Sequence, residues 1–228
     1  MTPVRIWDLP TRLFHWLLAI AVVGLVITGK TGGNAMVWHG RLGYAVLALL
    51  GFRLVWGLIG GRWSRFASFF PTPGRLLRYL RGQARPEDTA GHNPLGAFSV
   101  LALLLVLAAQ VGTGLFADDE IAFTGPLVGW ASSSVVQAAT RYHKTIGQGL
   151  IIALVALHML AIVVYRLRGH NLIRPMLTGD KLLRDGDVVA GSADGPARWI
   201  MALIVLAVVA VLVWWLIGSA PTPTMSFG

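Results

Sequence analysis

Five long apolar stretches constrain the fold of this chain more than any other feature of its sequence. They cover residues 12–28, 39–59, 95–116, 142–165 and 197–217. A helix of about 20 apolar residues matches the hydrocarbon thickness of a bilayer, so each stretch is long enough to cross a membrane, the first only just. Mean hydropathy is +0.67 and only 13% of the residues are charged, unlike a soluble domain. We therefore predict an all-α integral membrane protein.

The distribution of basic residues predicts how the helices are oriented. Between the second and third stretches there are six arginines against Glu87 and Asp88, and the N-terminus and the segment after the fourth stretch are also basic. Because cytoplasmic loops are enriched in Lys and Arg, the N-terminus is expected in the cytoplasm and the C-terminus in the periplasm. The net charge of +9 then reflects membrane topology, and we expect no nucleic-acid partner.

The apolar stretches and the basic residues together divide the chain into three regions. They also predict one helix at the membrane surface. Residues 1–168 form a four-helix membrane domain, 169–196 a cytoplasmic connector, and 197–228 a fifth helix with an outside tail. In the basic loop, "PGRLLRYLRG" is expected to lie on the inner leaflet with its arginines toward the headgroups. Its lipid-facing side chains would be Leu76, Leu77, Tyr79 and Leu80.

Four of the six histidines lie within or at the ends of the apolar stretches, at two predicted depths. His15 and His158 lie toward the cytoplasmic side and form the inner pair. His39 and His143 lie toward the periplasmic side and form the outer pair. Ionisable side chains are costly inside a membrane and are by default candidates for function. The 15 residues between His143 and His158 correspond to about 22 Å along a helix and about 60° around it, which is one broad face.

Two histidines at each depth favour axial ligation of one b-type haem per pair. Zinc requires about four ligands, and neither cysteine nor a carboxylate is available in the stretches to supply them. The absence of cysteine also excludes covalently attached haem. An iron with both axial positions filled transfers electrons and has no free position for a substrate.

Other charged and polar residues have simpler explanations. Arg12, Arg41, Arg53 and Lys144 are candidates for binding haem propionates, although cations near helix ends usually extend to the headgroups. His92 and His170 fall in predicted cytoplasmic loops. For His92, capping of the third helix or contact with a headgroup or quinone stays open, and His170 is expected to be solvent-exposed.

Four segments of the chain resemble the bacterial cytochrome b561 and Ni,Fe-hydrogenase cytochrome b family. They are "RIWDLPTRLFHW", "WHGRLGYAVLALLGFRLVWGLIG", "GHNPLGAFSVLALL" and "RYHKTIGQGLIIALVALHML", and the resemblance covers about residues 1–180. It implies a four-helix core that binds two haems through ligands on the first, second and fourth helices. These ligands fall on His15, His39, His143 and His158. The fifth helix resembles longer variants of the family.

The resemblance also implies the role of the protein in a respiratory chain. Members of the family pass electrons between the quinone pool and a periplasmic partner, either a c-type cytochrome or a hydrogenase-like enzyme. We expect an electron-transfer protein of the bacterial inner membrane, acting as the quinone-reactive component of an oxidoreductase complex. Membrane lipid is a further partner, and a homo-oligomer stays open. The alternatives are a membrane anchor for a larger extracytoplasmic redox enzyme and a small proton-coupled transporter.

Overall fold

The protein is built from membrane-spanning helices. The computed structural model describes residues 2–121, 123–184 and 186–219. Within that part, five helical segments are long and apolar enough to cross a membrane: Leu9–Thr31, Gly33–Ile59, Pro86–Leu115, Ser133–Leu167 and Pro196–Gly218. They coincide with the predicted stretches to within a few residues at most ends, so the all-α membrane fold is confirmed. The predicted outside tail, from residue 220 onward, lies outside the described residues.

The fourth span contains an irregular turn that the sequence does not reveal. A π-helical turn, His143–Gly147, separates two of the ten α-helices in the described part of the chain. In chain order the α-helices are α1 Leu9–Thr31, α2 Met36–Ile59, α3 Phe66–Phe69, α4 Pro73–Leu80, α5 Pro86–Thr89, α6 Pro94–Leu115, α7 Ser133–Tyr142, α8 Gln148–Leu167, α9 Ile173–Thr178 and α10 Pro196–Gly218.

Two of the spanning helices begin at side-chain caps. The Thr11 N–H donates to Asp8 Oδ1 at 2.8 Å before α1, and the Gly96 N–H donates to Asn93 Oδ1 at 2.8 Å at the start of α6. Such caps satisfy N–H groups that have no partner within the helix. Asn93, and not His92, therefore caps the third span.

The structure divides into two compact units, each made of several chain segments. The first consists of Met1–Trp16, Phe52–Leu103 and Leu154–Val205, and the second of Leu17–Gly51, Leu104–Ala153 and Leu206–Gly228. The core of the first unit contains Ile6, Trp7, Trp63, Ala90, Leu183 and Val189. The core of the second contains Ala21, Val46, Leu50, Leu107, Val111 and Ile151.

A small antiparallel ladder joins the N-terminus to the predicted connector in the first unit. Strand β1, Thr2–Arg5, pairs with β2, Asp180–Leu183, so that Arg5 lies opposite Asp180. Asp194 further along the connector accepts hydrogen bonds from the Leu9 N–H and from Trp199 Nε1, at 3.0 and 2.7 Å, and pairs with Arg5. The connector is thus tied to the start of α1.

The helix predicted in the basic loop is present as α4. Two of its arginines, Arg75 and Arg78, bind the buried carboxylate of Asp88. The Arg75 Nε–Asp88 Oδ1 distance is 3.1 Å and the Arg78 Nη2–Asp88 Oδ1 distance is 3.0 Å. The two cations hold α4 against α5, and contact of its arginines with headgroups stays a prediction.

Candidate functional site

The outer pair of histidines lies together in the second unit. His39 is in the first turn of α2, and His143 is the first residue of the π turn. Their ring centres are 6.0 Å apart and the ring planes are nearly perpendicular, at 83°. Both side chains are half-buried.

Hydrogen bonds fix the orientation of both rings in the outer pair. His39 Nδ1 lies 3.1 Å from the Leu25 carbonyl oxygen, and His143 Nδ1 lies 2.8 Å from the Gln110 carbonyl oxygen. A carbonyl oxygen can only accept, so Nδ1 carries the proton in each ring and Nε2 keeps its lone pair. This is the arrangement of a metal-binding histidine, in which the second nitrogen donates to the protein.

A cavity of about 540 Å³ opens beside these two rings within the second unit. Its volume falls in the range of small-molecule and cofactor sites, about 300–1,000 Å³. Gly43 leaves open space there, since a Cβ on it would meet no atom within 4 Å. The cations of Lys30 and Lys144 lie on its lining, which is otherwise largely apolar.

Glycines make room for the histidine rings themselves. A Cβ on Gly114 would lie 2.8 Å from His143 Cε1, and one on Gly29 would lie 3.1 Å from His39 Cε1. Each ring is thus seated against the backbone of a neighbouring helix. At position 114 a Cβ could be accommodated only if the His143 ring moved, and at position 29 it would make a tight contact with the His39 ring.

Gln110 connects α6 to the π turn through two reciprocal hydrogen bonds. Its side-chain Nε2 donates to the His143 carbonyl oxygen at 2.9 Å, while its own carbonyl accepts from His143 Nδ1. A π turn changes the regular hydrogen-bond ladder of a helix and is often found at functional sites. Gln110 was not among the residues predicted from the sequence, although a large amide side chain inside an apolar stretch is a visible signal.

The inner pair lies in the first unit. His15 is on α1 and His158 on α8, with ring centres 6.4 Å apart and planes inclined at 51°. His15 Nδ1 is buried without a hydrogen-bond partner in the described part of the protein. Among the described residues, His15 therefore lacks the carbonyl contact that orients each ring of the outer pair.

The separations within both pairs fit one six-coordinate iron between two imidazoles. Bonds of about 2.0 Å from the metal to nitrogens on opposite sides place the two ring centres about 6.3 Å apart. The observed separations of 6.0 and 6.4 Å are close to this value. Among the described residues there is no cluster of three or more His, Cys, Asp or Glu side chains that could complete a different kind of metal site.

The two remaining histidines differ from each other. His170 is exposed, as expected. His92 is not a simple loop residue, since its ring packs against Trp7 and Phe69, each with a centroid distance of 4.7 Å. These contacts could not be predicted from the sequence, because Trp7, Phe69 and His92 lie in separate parts of the chain, Phe69 at the end of α3.

Comparison with known proteins places this chain in a family. Residues 6–179, about three quarters of the chain, match the family described as prokaryotic cytochrome b561. The chain belongs to this family. This b561 protein is accordingly a b-type cytochrome, a membrane protein that binds haem b and transfers electrons. The family resemblance predicted from the sequence is confirmed.

Curated relatives of this b561 protein are similar over most of their length. A protein named probable Ni/Fe-hydrogenase B-type cytochrome subunit from Cupriavidus necator is 26% identical, with 79% of this chain and 87% of the relative covered. A protein of the same name from Azotobacter vinelandii is 25% identical, with 81% and 90% covered. No solved structure matches the chain.

Proposed function

We propose that this protein is a dihaem cytochrome that passes electrons across the membrane between quinone and a redox partner at the periplasmic face. The two histidine pairs, with ring centres 6.0 and 6.4 Å apart, carry the proposal. Haem b, when bound, would supply one-electron chemistry, and a haem held by two histidines would have no free position for a substrate. The expected work is therefore electron transfer and not bond-making catalysis.

In this proposal the outer pair binds one haem and the inner pair the other. The Leu25 and Gln110 carbonyls orient the rings of His39 and His143 and leave Nε2 of each ring for iron. His15 and His158 are the corresponding ligands for the inner haem. The protein supplies ligand orientation, depth in the membrane and a low dielectric around each site.

The proposed orientation follows from charge. The basic loop between α2 and α6 carries six arginines, which favours a cytoplasmic position for it and for the N-terminus. The membrane would be the bacterial inner membrane, with the end of α10 at the periplasmic side. His39 and His143 then lie at the periplasmic side, where a soluble redox partner can approach.

The names of the curated relatives favour a hydrogenase as that partner, because several are described as Ni/Fe-hydrogenase cytochrome subunits. The protein would then be the quinone-reactive membrane subunit of an oxidoreductase complex. Copurification with a periplasmic enzyme in fixed stoichiometry would support this partner over a soluble c-type cytochrome. Recovery of the b561 protein alone, with rapid oxidation by an added c-type cytochrome, would favour the second partner.

Single replacements of the four histidines test the ligand assignment. We expect His39→Ala and His143→Ala to remove the same haem, and His15→Ala and His158→Ala to remove the other, as measured by haem-to-protein ratio and redox titration. His170→Ala is the matched control, since this exposed histidine should leave both haems in place. Loss of different haems by two members of one pair would contradict the pairing.

A further inference from the structure

A buried arginine lies in the first unit, which also contains the inner pair. Arg53 on α2 is only 3% exposed, and its Nη1 has no hydrogen-bond partner among the residues that the structure describes. In the part of the chain that the structure describes, the guanidinium forms no ion pair either. Because burying an unpaired charge is costly, a cation in such a place is normally matched by an anion.

Aromatic rings surround the Arg53 guanidinium. Its central carbon lies 4.6 Å from the ring centroid of Phe66, 5.9 Å from that of Phe69 and 6.0 Å from that of Phe14. Cation–π contacts of this kind stabilise the charge but supply no hydrogen-bond acceptor. The N–H groups, which lie in the plane of the guanidinium, remain available for a carboxylate.

The carboxylate within electrostatic range does not meet this need. Asp8 influences Arg53 at a distance but forms no ion pair with it. Its oxygens already accept hydrogen bonds from the Thr11 N–H, the Gly61 N–H and Ser64 Oγ, at 2.8, 2.9 and 2.8 Å. Asp8 is thus occupied in holding the start of α1, and the anion for Arg53 must come from elsewhere.

Two other basic residues near helix ends either have partners or are exposed to solvent. Arg12 donates to the Leu177 carbonyl oxygen at 2.7 Å and lies 3.5 Å from Asp194. Arg41 is exposed and stacks on Trp38. The sequence-based expectation that cations near helix ends extend to the headgroups does not hold for Arg53, which is buried.

The surroundings of Arg53 connect it to the inner pair. Phe14, which the guanidinium approaches, directly precedes His15 on α1. His158 lies across from His15, with ring centres 6.4 Å apart, so the inner pair is next to the turn of α1 that carries Phe14. We propose that Arg53 binds a propionate carboxylate of the haem held by His15 and His158. This inference rests on the proposed function, since it requires a haem at the inner pair.

Infrared spectroscopy of the haem propionates tests this contact directly. The full-length protein would be produced with haem labelled with ¹³C at the propionate carboxyl groups, and difference spectra recorded across the redox step of the inner haem. Arg53→Gln should shift the labelled carboxylate bands and lower the midpoint potential of the inner haem, since a cation favours the reduced form. Arg53→Lys keeps the charge and should give smaller changes. The outer haem serves as an internal reference.

Arg62→Gln is the matched control, because Arg62 also stacks on an aromatic ring, Trp63, but is exposed to solvent. The labelled carboxylate bands of the Arg62→Gln variant should match those of the wild type. Loss of the inner haem alone from Arg53→Gln, with retention in Arg53→Lys, would also support the proposal. Unshifted bands in Arg53→Gln with both haems bound, or loss of both haems from both Arg53 variants, would overturn it. Wild-type protein without haem would instead overturn the proposed function.

Discussion

At the scale of single residues, the site depends on groups that hold the histidines as much as on the histidines themselves. The sequence indicated the four histidines because ionisable side chains are rare in apolar stretches. It did not indicate the groups that orient them, which are the backbone carbonyls of Leu25 and Gln110. Every residue has a backbone carbonyl, so only the packing of the helices determines which ones contact the histidines. Glycines were visible in the sequence, but not which of them lie against a ring.

Gly114, which makes room for the His143 ring, gives a prediction at this scale. Gly114→Ala places a methyl group 2.8 Å from His143 Cε1 and should turn the ring away from its present position. Because changes next to a metal ligand typically cost about 10- to 100-fold in affinity, we expect the outer haem to be held more weakly by that amount. The fraction of haem that each variant retains after dilution would measure this loss of affinity. Gly112→Ala is the control, since its Cβ would meet nothing within 4 Å; equal losses from both variants would contradict the account.

At the scale of secondary-structure elements, the spanning helices were predictable and the irregular parts were not. Length and hydropathy alone indicate a spanning helix, because the bilayer requires about 20 apolar residues. The π turn at His143–Gly147 depends instead on a tertiary contact, the hydrogen bond from Gln110 to the His143 carbonyl. The β1–β2 ladder likewise joins segments more than 170 residues apart, which local sequence patterns cannot indicate.

The π turn provides an element-scale prediction. A Cβ on Gly147 would overlap Gln110 Oε1, whereas one on Gly149 would meet nothing within 4 Å. Alanine favours a helix over glycine by up to about 1 kcal/mol at either position, so Gly149→Ala should be neutral or stabilising. Gly147→Ala should displace Gln110, lower the thermal stability and shift the potential of the outer haem. Similar melting temperatures and potentials in the two variants would show that the hydrogen bonds between Gln110 and His143 do not support the outer site.

The connector gives a second element-scale prediction, which concerns pH. Burial alone would raise the pKa of Asp194, but hydrogen bonds from Trp199, the Leu9 N–H and Arg5 outweigh it and lower the pKa below its ordinary value. The ionised form therefore stabilises the fold above the ordinary carboxyl pKa, and this contribution is lost as pH falls through the lowered value. Asp194→Asn should destabilise the protein at pH 7, by about 1–3 kcal/mol.

Thermal unfolding across pH would test the Asp194 prediction. The difference in stability between wild type and Asp194→Asn should be full at neutral pH and shrink in acid. A difference that does not depend on pH would mean that the charge of Asp194 is not what secures the connector.

At the scale of the whole molecule, composition and charge predicted a membrane protein with a defined orientation. The five spans and the family are confirmed. The division of the structure into two units, each containing one histidine pair, was not predicted from the sequence. Which buried side chains lack partners among the described residues, as Arg53 does, depends on packing and was not predictable.

Orientation can be tested conveniently because the chain has no cysteine. A membrane-impermeant maleimide should label Ser133→Cys in intact spheroplasts, but should label Gln83→Cys only after the membrane is disrupted. Both positions are exposed, so accessibility reports on the side of the membrane. The reverse pattern would contradict a cytoplasmic N-terminus and place the outer pair at the inner face.

The haem content of the purified protein tests the central claim most directly. A pyridine haemochrome assay, combined with a reduced-minus-oxidised spectrum and a protein determination, gives the type and number of haems per chain. Two histidine pairs that each hold one iron predict a b-type spectrum and two haems per chain. A single haem per chain, after production with ample haem, would contradict the dihaem arrangement and show that one of the two pairs is not a binding site.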